Sequence, residues 1–164
     1  MIYCVIYSSL LDRYLLFLSD RDGLRLLIRR SEKDVSSELE RLGSCKKGVL
    51  SEIVQDTKTY LEGRNVDFSG CKVDMERLTQ FERKVIEAVR AVPYGTICTY
   101  AEFAKFIGER RAYRAVGQAL GKNPAPIIIP CHRVVAKRGI GGYAWGIEMK
   151  KKLLALERGD LLAG

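Results

Sequence analysis

The sequence predicts an α+β protein in two parts, a small antiparallel sheet with helices followed by a mostly helical region. Three observations carry that expectation. The first 74 residues hold three short runs with β-branched or aromatic residues ahead of any helical pattern, and two capping boxes open helices after residue 78. Charge divides the chain at the same place: residues 1–74 carry 12 Lys+Arg against 12 Asp+Glu, whereas residues 75–164 carry 16 against 8. The whole net charge of +8 therefore lies in the second part.

Met1–Tyr7, Arg13–Leu18 and Leu24–Ile28 read as strands of a meander, separated by Ser8-Ser9 and by the Asp20-Arg21-Asp22-Gly23 turn. Ser31 with Asp34, and Ser51 ahead of Ile53, Val54, Tyr60 and Leu61, predict one or two helices before Gly63. Gly63, Asn65, Ser69 and Gly70 leave residues 63–74 without periodicity, so a linker is placed there. The domains are then a support domain over 1–70 and a second domain over 75–164.

Thr79-Gln80-Phe81-Glu82 is a capping box, and Phe81, Val85, Ile86 and Val89 fall on one helical face before Pro93-Tyr94-Gly95 ends it. A second box, Thr99-Tyr100-Ala101-Glu102, opens a short helix through Phe103, Ala104 and Ile107. Gly108-Glu109-Arg110 then turns into a helix from about Arg111 to Leu120, a helix-turn-helix pattern in the basic half. Ala112, Ala115, Gly117 and Ala119 keep that second helix slim enough to approach a neighbouring helix or the floor of a DNA groove. Arg111 and Arg114 fall in its first turn, against the helix dipole, which makes sense where phosphates or bases are the partners.

Composition excludes several classes. At 47% hydrophobic content, 164 residues can bury one core, or one core and a smaller appended domain. The apolar stretch Tyr14–Leu18 is too short for a membrane span and wrongly flanked for a secretory signal, so a cytoplasmic chain without membrane attachment is expected. Five cysteines with no CxxC pair, and one histidine in the whole chain, argue against a zinc cluster or a disulfide framework. No metal is expected; a disulfide among Cys4, Cys45 and Cys71 stays open.

That one histidine, His132, directly follows Cys131 in Ile127-Ile128-Ile129-Pro130-Cys131-His132-Arg133-Val134-Val135. A cysteine is a nucleophile only as its thiolate, and a nearby imidazole or guanidinium helps to make one. Pro130 is expected to end an apolar strand, which puts Cys131 and His132 on the loop that follows. Without the flanking sequence, Cys131 would read as a small buried hydrophobe, as most free cysteines do.

Tyr100, Arg114-Ala115-Val116-Gly117, Asn123-Pro124, Pro126, the Pro130–Val134 string, Gly142-Tyr143 and the helix from Lys150 to Glu157 together resemble the O6-alkylguanine-DNA alkyltransferases. These are also called methylated-DNA–protein-cysteine methyltransferases. The resemblance covers roughly residues 78–158 and implies a ribonuclease H-like N-terminal domain, then a winged helix-turn-helix with an active-site cysteine loop. It implies DNA repair by irreversible, single-turnover transfer of an alkyl group, mainly methyl, from O6-alkylguanine to Cys131, and from O4-methylthymine as well. No cofactor is implied, and the partner is double-stranded DNA bound through its minor groove by a monomer.

The family's roles fall on matching residues. His132 takes the thiol proton through a bridging water, Glu157 orients the imidazole, and Asn123 ties the active-site turn together. Tyr100 lies beside the extruded nucleotide and gives a proton to guanine N3. Arg114 fills the gap left by the flipped base, on a helix whose Ala112, Ala115 and Gly117 allow close approach. Tyr143, Ala144, Trp145, Val134 and Lys150 form the substrate pocket, with Lys150 near its rim. Trp145 replaces the glycine of some relatives and predicts a narrower pocket. Two other classes compete: a cysteine hydrolase, which leaves the basic helix-turn-helix unexplained, and a non-catalytic sensor of alkylated DNA, which the presence of Cys131 disfavours.

Overall fold

A computed structural model describes residues 1–160. Strands β1 (Ile2–Ser8), β2 (Arg13–Ser19) and β3 (Leu24–Arg29) form the expected antiparallel meander, with Tyr3 opposite Leu18 and Leu16 opposite Leu27. A two-residue strand, β4 (Lys46–Lys47), adds to β1 in parallel and completes the order β3-β2-β1-β4. Strand β2 lies inside the sheet, and Leu15 to Leu18 are all fully buried because both faces are covered. Leu16 and Leu18 pack with Val35 of helix α1 (Glu32–Leu42), while Leu15 and Phe17 join the main core.

Helix α1 starts at a reciprocal capping box between Ser31 and Asp34. Helix α2 (Ser51–Leu61) starts without one: Ser51 is already helical and Leu50 occupies the cap position. Burial of Thr57 and Tyr60 anchors α2 instead. Residues 63–79 are irregular yet stitched down. Leu24 donates its amide to the Lys72 carbonyl (2.9 Å), Asp74 donates back to Leu24 (3.0 Å), and the Arg90 guanidinium bonds the carbonyls of Phe68 and Cys71. Their backbone groups are spent on the open edge of β3 and on Arg90, so no periodicity is needed to satisfy them.

The second region comprises α3 (Gln80–Val89), β5 (Cys98–Thr99), α4 (Tyr100–Phe106), α5 (Tyr113–Leu120), β6 (Val134–Val135) and α6 (Ile147–Arg158). Both expected capping boxes form, at Thr79/Glu82 and Thr99/Glu102. Helix α5 begins two residues later than expected. Ala112 donates to Glu109 (2.8 Å), which keeps Arg111 in the preceding turn; Arg114 alone of the two arginines lies in the first helical turn.

One apolar core runs through both regions, from Leu15 and Phe17 past Tyr60 to Val85, Ile86 and Leu153. Polar links cross as well: Leu26 donates to the Pro124 carbonyl (2.9 Å), Lys152 to that of Leu10 (2.8 Å), and the Tyr94 hydroxyl to that of Gly63 (3.0 Å). All five cysteines are free thiols, and no described helix is long and apolar enough to cross a membrane.

Candidate active site

The apolar run ahead of Cys131 is a buried turn and not the strand expected from its composition. Ile127 adopts a left-handed φ of 77°, strained for a β-branched residue, and Ile129 donates back to Ala125 (2.9 Å). Asn123 holds the turn closed. Its Oδ1 accepts from the Ala125 amide (2.9 Å), and its Nδ2 donates to the Ile129 carbonyl (2.8 Å) and to Cys131 Sγ (3.0 Å). Cys131–Arg133 follow as one 3-10 turn. The thiol thus sits at the end of a buried, hydrogen-bonded turn with an amide donor aimed at its sulfur.

Behind the thiol, Glu157 of α6 gathers nearly every polar group in reach. Its Oε1 accepts from His132 Nε2 (2.7 Å), from the Tyr60 hydroxyl (2.7 Å) and from Arg133 Nη2 (2.9 Å), and its Oε2 from Arg133 Nε (2.9 Å) and the Gly95 amide (3.0 Å). Arg133 Nη1 bonds the Val92 carbonyl (2.6 Å). Burial pushes the Glu157 pKa up, but the hydrogen bonds from His132 and Arg133 and the guanidinium charge prevail and hold it at about 2. A carboxylate in that state fixes the imidazole with Nε2 protonated and Nδ1 as the free base. Nδ1 is buried with no protein partner among the described residues. Burial lowers the His132 pKa against the pull of Glu157, so the ring is neutral at pH 7 and able to accept a proton.

Burial also raises the Cys131 pKa, to about 11, despite the Asn123 hydrogen bond and the nearby Lys150 charge. The resting sulfur is a thiol, and a reaction at it has to remove the proton as the new bond forms. Lys150 is fully buried, a correction to its expected place at the rim. Its ammonium donates to the carbonyls of Val134 (2.7 Å) and Gly142 (3.1 Å) and lies 5.7 Å from the Tyr100 ring centre. Burial lowers its pKa to about 8, with the neighbouring Cys131 sulfur opposing that shift in part. Val134 is likewise buried and does not line the cleft with its side chain; its carbonyl holds Lys150.

Cys131 opens into a cleft of 560 Å³ lined by Tyr100, Tyr143, Ala144 and Trp145 and by Tyr113, Arg114, Gly117 and Gln118 of α5. The Tyr143 hydroxyl is buried beside the thiol, and its ring meets Trp145 edge-on at 5.1 Å. Tyr100 is half-buried and its hydroxyl bonds the Gly142 carbonyl (3.4 Å). The loop passes so close that a Cβ on Gly141 (φ 74°) would come within 3.0 Å of the Tyr100 ring, which is why glycine stands there. Arg114 is exposed, its guanidinium 5.9 Å from the Tyr113 ring centre, and Ala112 and Ala115 are half-buried nearby.

The structure therefore brings Cys131, Tyr100, Tyr143, Ala144, Trp145, Arg114 and Gly117 to one cleft and buries Asn123, His132, Glu157 and Lys150 around the thiol beneath it. Two contributors were not singled out from sequence. Arg133 stood only inside a motif, and Tyr60 only as an apolar position on an N-terminal helix.

Residues 80–159 match the family described as "6-O-methylguanine DNA methyltransferase, DNA binding domain". A methylated-DNA–protein-cysteine methyltransferase of Methanopyrus kandleri is 42% identical over 108 residues, which cover 66% of this chain and 80% of that one. The crystal structure of Mycobacterium tuberculosis OGT in complex with DNA superposes with a TM-score of 0.78 at 33% identity, covering 97% of this chain and 94% of that one. The O6-methylguanine-DNA methyltransferase of Pyrococcus kodakaraensis gives 0.69 at 30% identity, with 95% and 98% covered. Likeness of this extent spans both regions of the fold and not the cysteine motif alone, and the chain belongs to the methylated-DNA–protein-cysteine methyltransferase family.

Proposed function

We propose that this DNA-repair methyltransferase uses Cys131 as a one-use alkyl acceptor, with O6-alkylguanine flipped from double-stranded DNA as its main substrate and O4-methylthymine as a second. The observation that supports this most is the buried thiol between an amide donor (Asn123 Nδ2, 3.0 Å) and a neutral His132–Glu157 pair, at the floor of a cleft faced by an exposed arginine.

The chemistry follows from those groups. Sulfur attacks the alkyl carbon in line; the carbon–oxygen bond breaks and a thioether forms. The thiol proton passes through a bridging water to His132 Nδ1, and the imidazolium is stabilised by Glu157. The departing guanine takes a proton at N3 from the Tyr100 hydroxyl, which recovers one from the imidazolium, so the site ends with its original charge. The thioether has no bond that water can hydrolyse easily, which makes transfer irreversible and each molecule single-use. Tyr143 packs over the base, and the Ala144 amide donates to O6.

In the duplex, O6 is stacked out of reach of a buried sulfur, so the nucleotide has to leave the helix. Helix α5 enters the minor groove on Ala112, Ala115 and Gly117, and Arg114 occupies the vacated stack. The protein acts as a monomer in the cytoplasm, a reducing setting in keeping with its free thiols. The domains divide at residues 70–75, with chemistry and DNA contacts in the second.

Mass analysis of the peptide containing Cys131, after mixing with an O6-methylguanine oligonucleotide, tests the proposal. The expected result is a gain of one methylene, absent in Cys131→Ala. Tight binding of the damaged duplex with an unchanged peptide would instead identify a sensor.

A further inference from the structure

We propose that Tyr60, carried into the site by α2 of the N-terminal region, is a positioning residue of the transfer reaction: its hydroxyl holds Glu157 and thereby sets the basicity of His132. The proposal rests on His132 being the base that takes the thiol proton.

Tyr60 is 1% exposed, and its hydroxyl lies 2.7 Å from Glu157 Oε1 and 3.2 Å from His132 Nε2. Its ring is wedged edge-on against Tyr94 (6.0 Å), Phe68 (6.1 Å) and His132 (6.5 Å), so the hydroxyl has no other direction to take. Burial and the neighbouring Glu157 raise its pKa well above 10, which keeps it a proton donor throughout the working range.

The same carboxylate oxygen receives Tyr60, His132 and Arg133. Each charge-assisted donor draws electron density from that oxygen, and the pull left for the imidazole N–H falls accordingly. Without the phenol, the Glu157–His132 bond tightens, the imidazolium is favoured, and a larger share of His132 is already protonated when a substrate arrives. The other charged and titratable groups set the background. Glu157 and Lys150 face the imidazole from α6, with Cys131 and Arg133 on its own turn. Tyr94 reaches the cluster from the α3–β5 connection and Tyr143 from the loop before α6. Glu157 raises the imidazole pKa, while burial, Arg133 and Lys150 lower it. Tyr60 thus makes the N-terminal region a partner in the proton chemistry as well as a support for the second domain.

His132 is the chain's only histidine, so the imidazole nitrogen resonances of untagged, 15N-labelled protein report it without ambiguity. Tyr60→Phe keeps the ring and removes only the hydroxyl. We expect its imidazole titration, and with it the acid limb of the transfer rate, to move to higher pH by roughly 0.5–1 unit. Where the native ring stays neutral down to the acid limit of folding, the Nε2 proton of the variant should instead shift downfield as its bond to Glu157 shortens. An imidazole signal and acid limb unchanged from the native protein overturn the proposal, whatever the overall rate or stability. Should Tyr60→Phe fail to fold, the native protein decides: a slowly exchanging phenolic proton with a cross-relaxation peak to the imidazole is required, and its absence counts against Tyr60. Native protein that transfers no alkyl group refutes the function itself, whereas transfer with an unmoved titration refutes only the role of Tyr60.

Discussion

The two sides of Cys131 are built on opposite plans. Behind the sulfur, Glu157, His132, Arg133 and Tyr60 are buried and joined through one carboxylate, so their geometry is complete before any substrate arrives. In front of it, Arg114, Tyr113 and Gln118 are exposed on a helix whose N-terminus has no acidic residue and no side-chain cap. Groups that move a proton gain from being fixed in advance, since reorganisation during the reaction costs rate. Groups that meet DNA gain from staying free, because their partners are phosphates and bases not yet present. On the proposed mechanism, the contrast teaches that catalytic order is stored on one face of the thiol and recognition is left unsatisfied on the other.

The strongest way to break the contrast is to cut the buried side at its hub. Glu157→Gln leaves Arg133 without its carboxylate and gives His132 Nε2 a poorer acceptor. We expect the transfer rate to fall on the order of 10²–10⁴-fold, as when the orienting acid of a triad becomes an amide. Stability should drop by roughly 3–5 kcal/mol, because a buried guanidinium is left unpaired. Single-turnover kinetics and denaturant unfolding check the two effects, and a variant that kept both native values would show the hub to be dispensable.

Acid dissolves the same hub without a mutation. The folded-state pKa of Glu157, about 2, is depressed below the ordinary 4.5, so its stabilising contribution is complete above 4.5 and is lost as pH falls toward 2. His132 is also depressed, from 6.5, and has the same sign: the fold prefers the neutral ring, and stability declines once pH drops below 6.5. Thermal unfolding followed from pH 7 to pH 3 should therefore show a falling midpoint throughout. In Glu157→Gln the part of the fall below pH 4.5 should shrink.

How much of this was legible in the sequence follows the same division between local and distant bonds. The capping boxes at Ser31, Thr79 and Thr99 are closed within four residues, and the helices they open were readable from the residue types alone. The front of the site was readable for a like reason, since Tyr100, Arg114 and the Pro130–Val134 string carry a family pattern. The run Ile127–Ile129 misled because an apolar stretch looks the same in a buried strand and a buried turn; what decides is Asn123, whose two ends clamp Ala125 and Ile129. Lys150 stands in a run of three lysines that suggests solvent, and only the tertiary fold puts it under two carbonyls. Tyr60 bonds a partner 97 residues away, and nothing local distinguishes it from an ordinary buried position on an amphipathic helix.

The exposed side can be broken separately. Arg114→Ala should leave the Glu157 hub and the fold untouched, since Arg114 is exposed and its recorded aromatic contact is with its neighbour Tyr113. Transfer from duplex DNA should fall by about 10- to 100-fold, the cost of losing a side chain that offsets a few kcal/mol of unstacking. Reaction with free O6-benzylguanine, which needs no flipping, should stay at the native rate. Equal losses on both substrates would place Arg114 in the chemistry and erase the distinction between the two sides.

The smallest effect belongs to Trp145, which stands where the two plans meet. It is half-buried, packed edge-on against Tyr143, and it lines the cleft into which Cys131 opens. Trp145→Gly removes that wall but also releases Tyr143 from its aromatic neighbour, worth about 1 kcal/mol of positioning. The two consequences oppose each other for a methyl group and reinforce nothing in the buried hub. We therefore expect methyl transfer to change by only a few-fold, while inactivation by O6-benzylguanine speeds up as the larger group gains room. Measuring both rates in one preparation sharpens the comparison: a selective gain for benzyl places alkyl-size discrimination on the open side of the thiol, and equal rates for native protein and variant toward O6-benzylguanine would remove Trp145 from it.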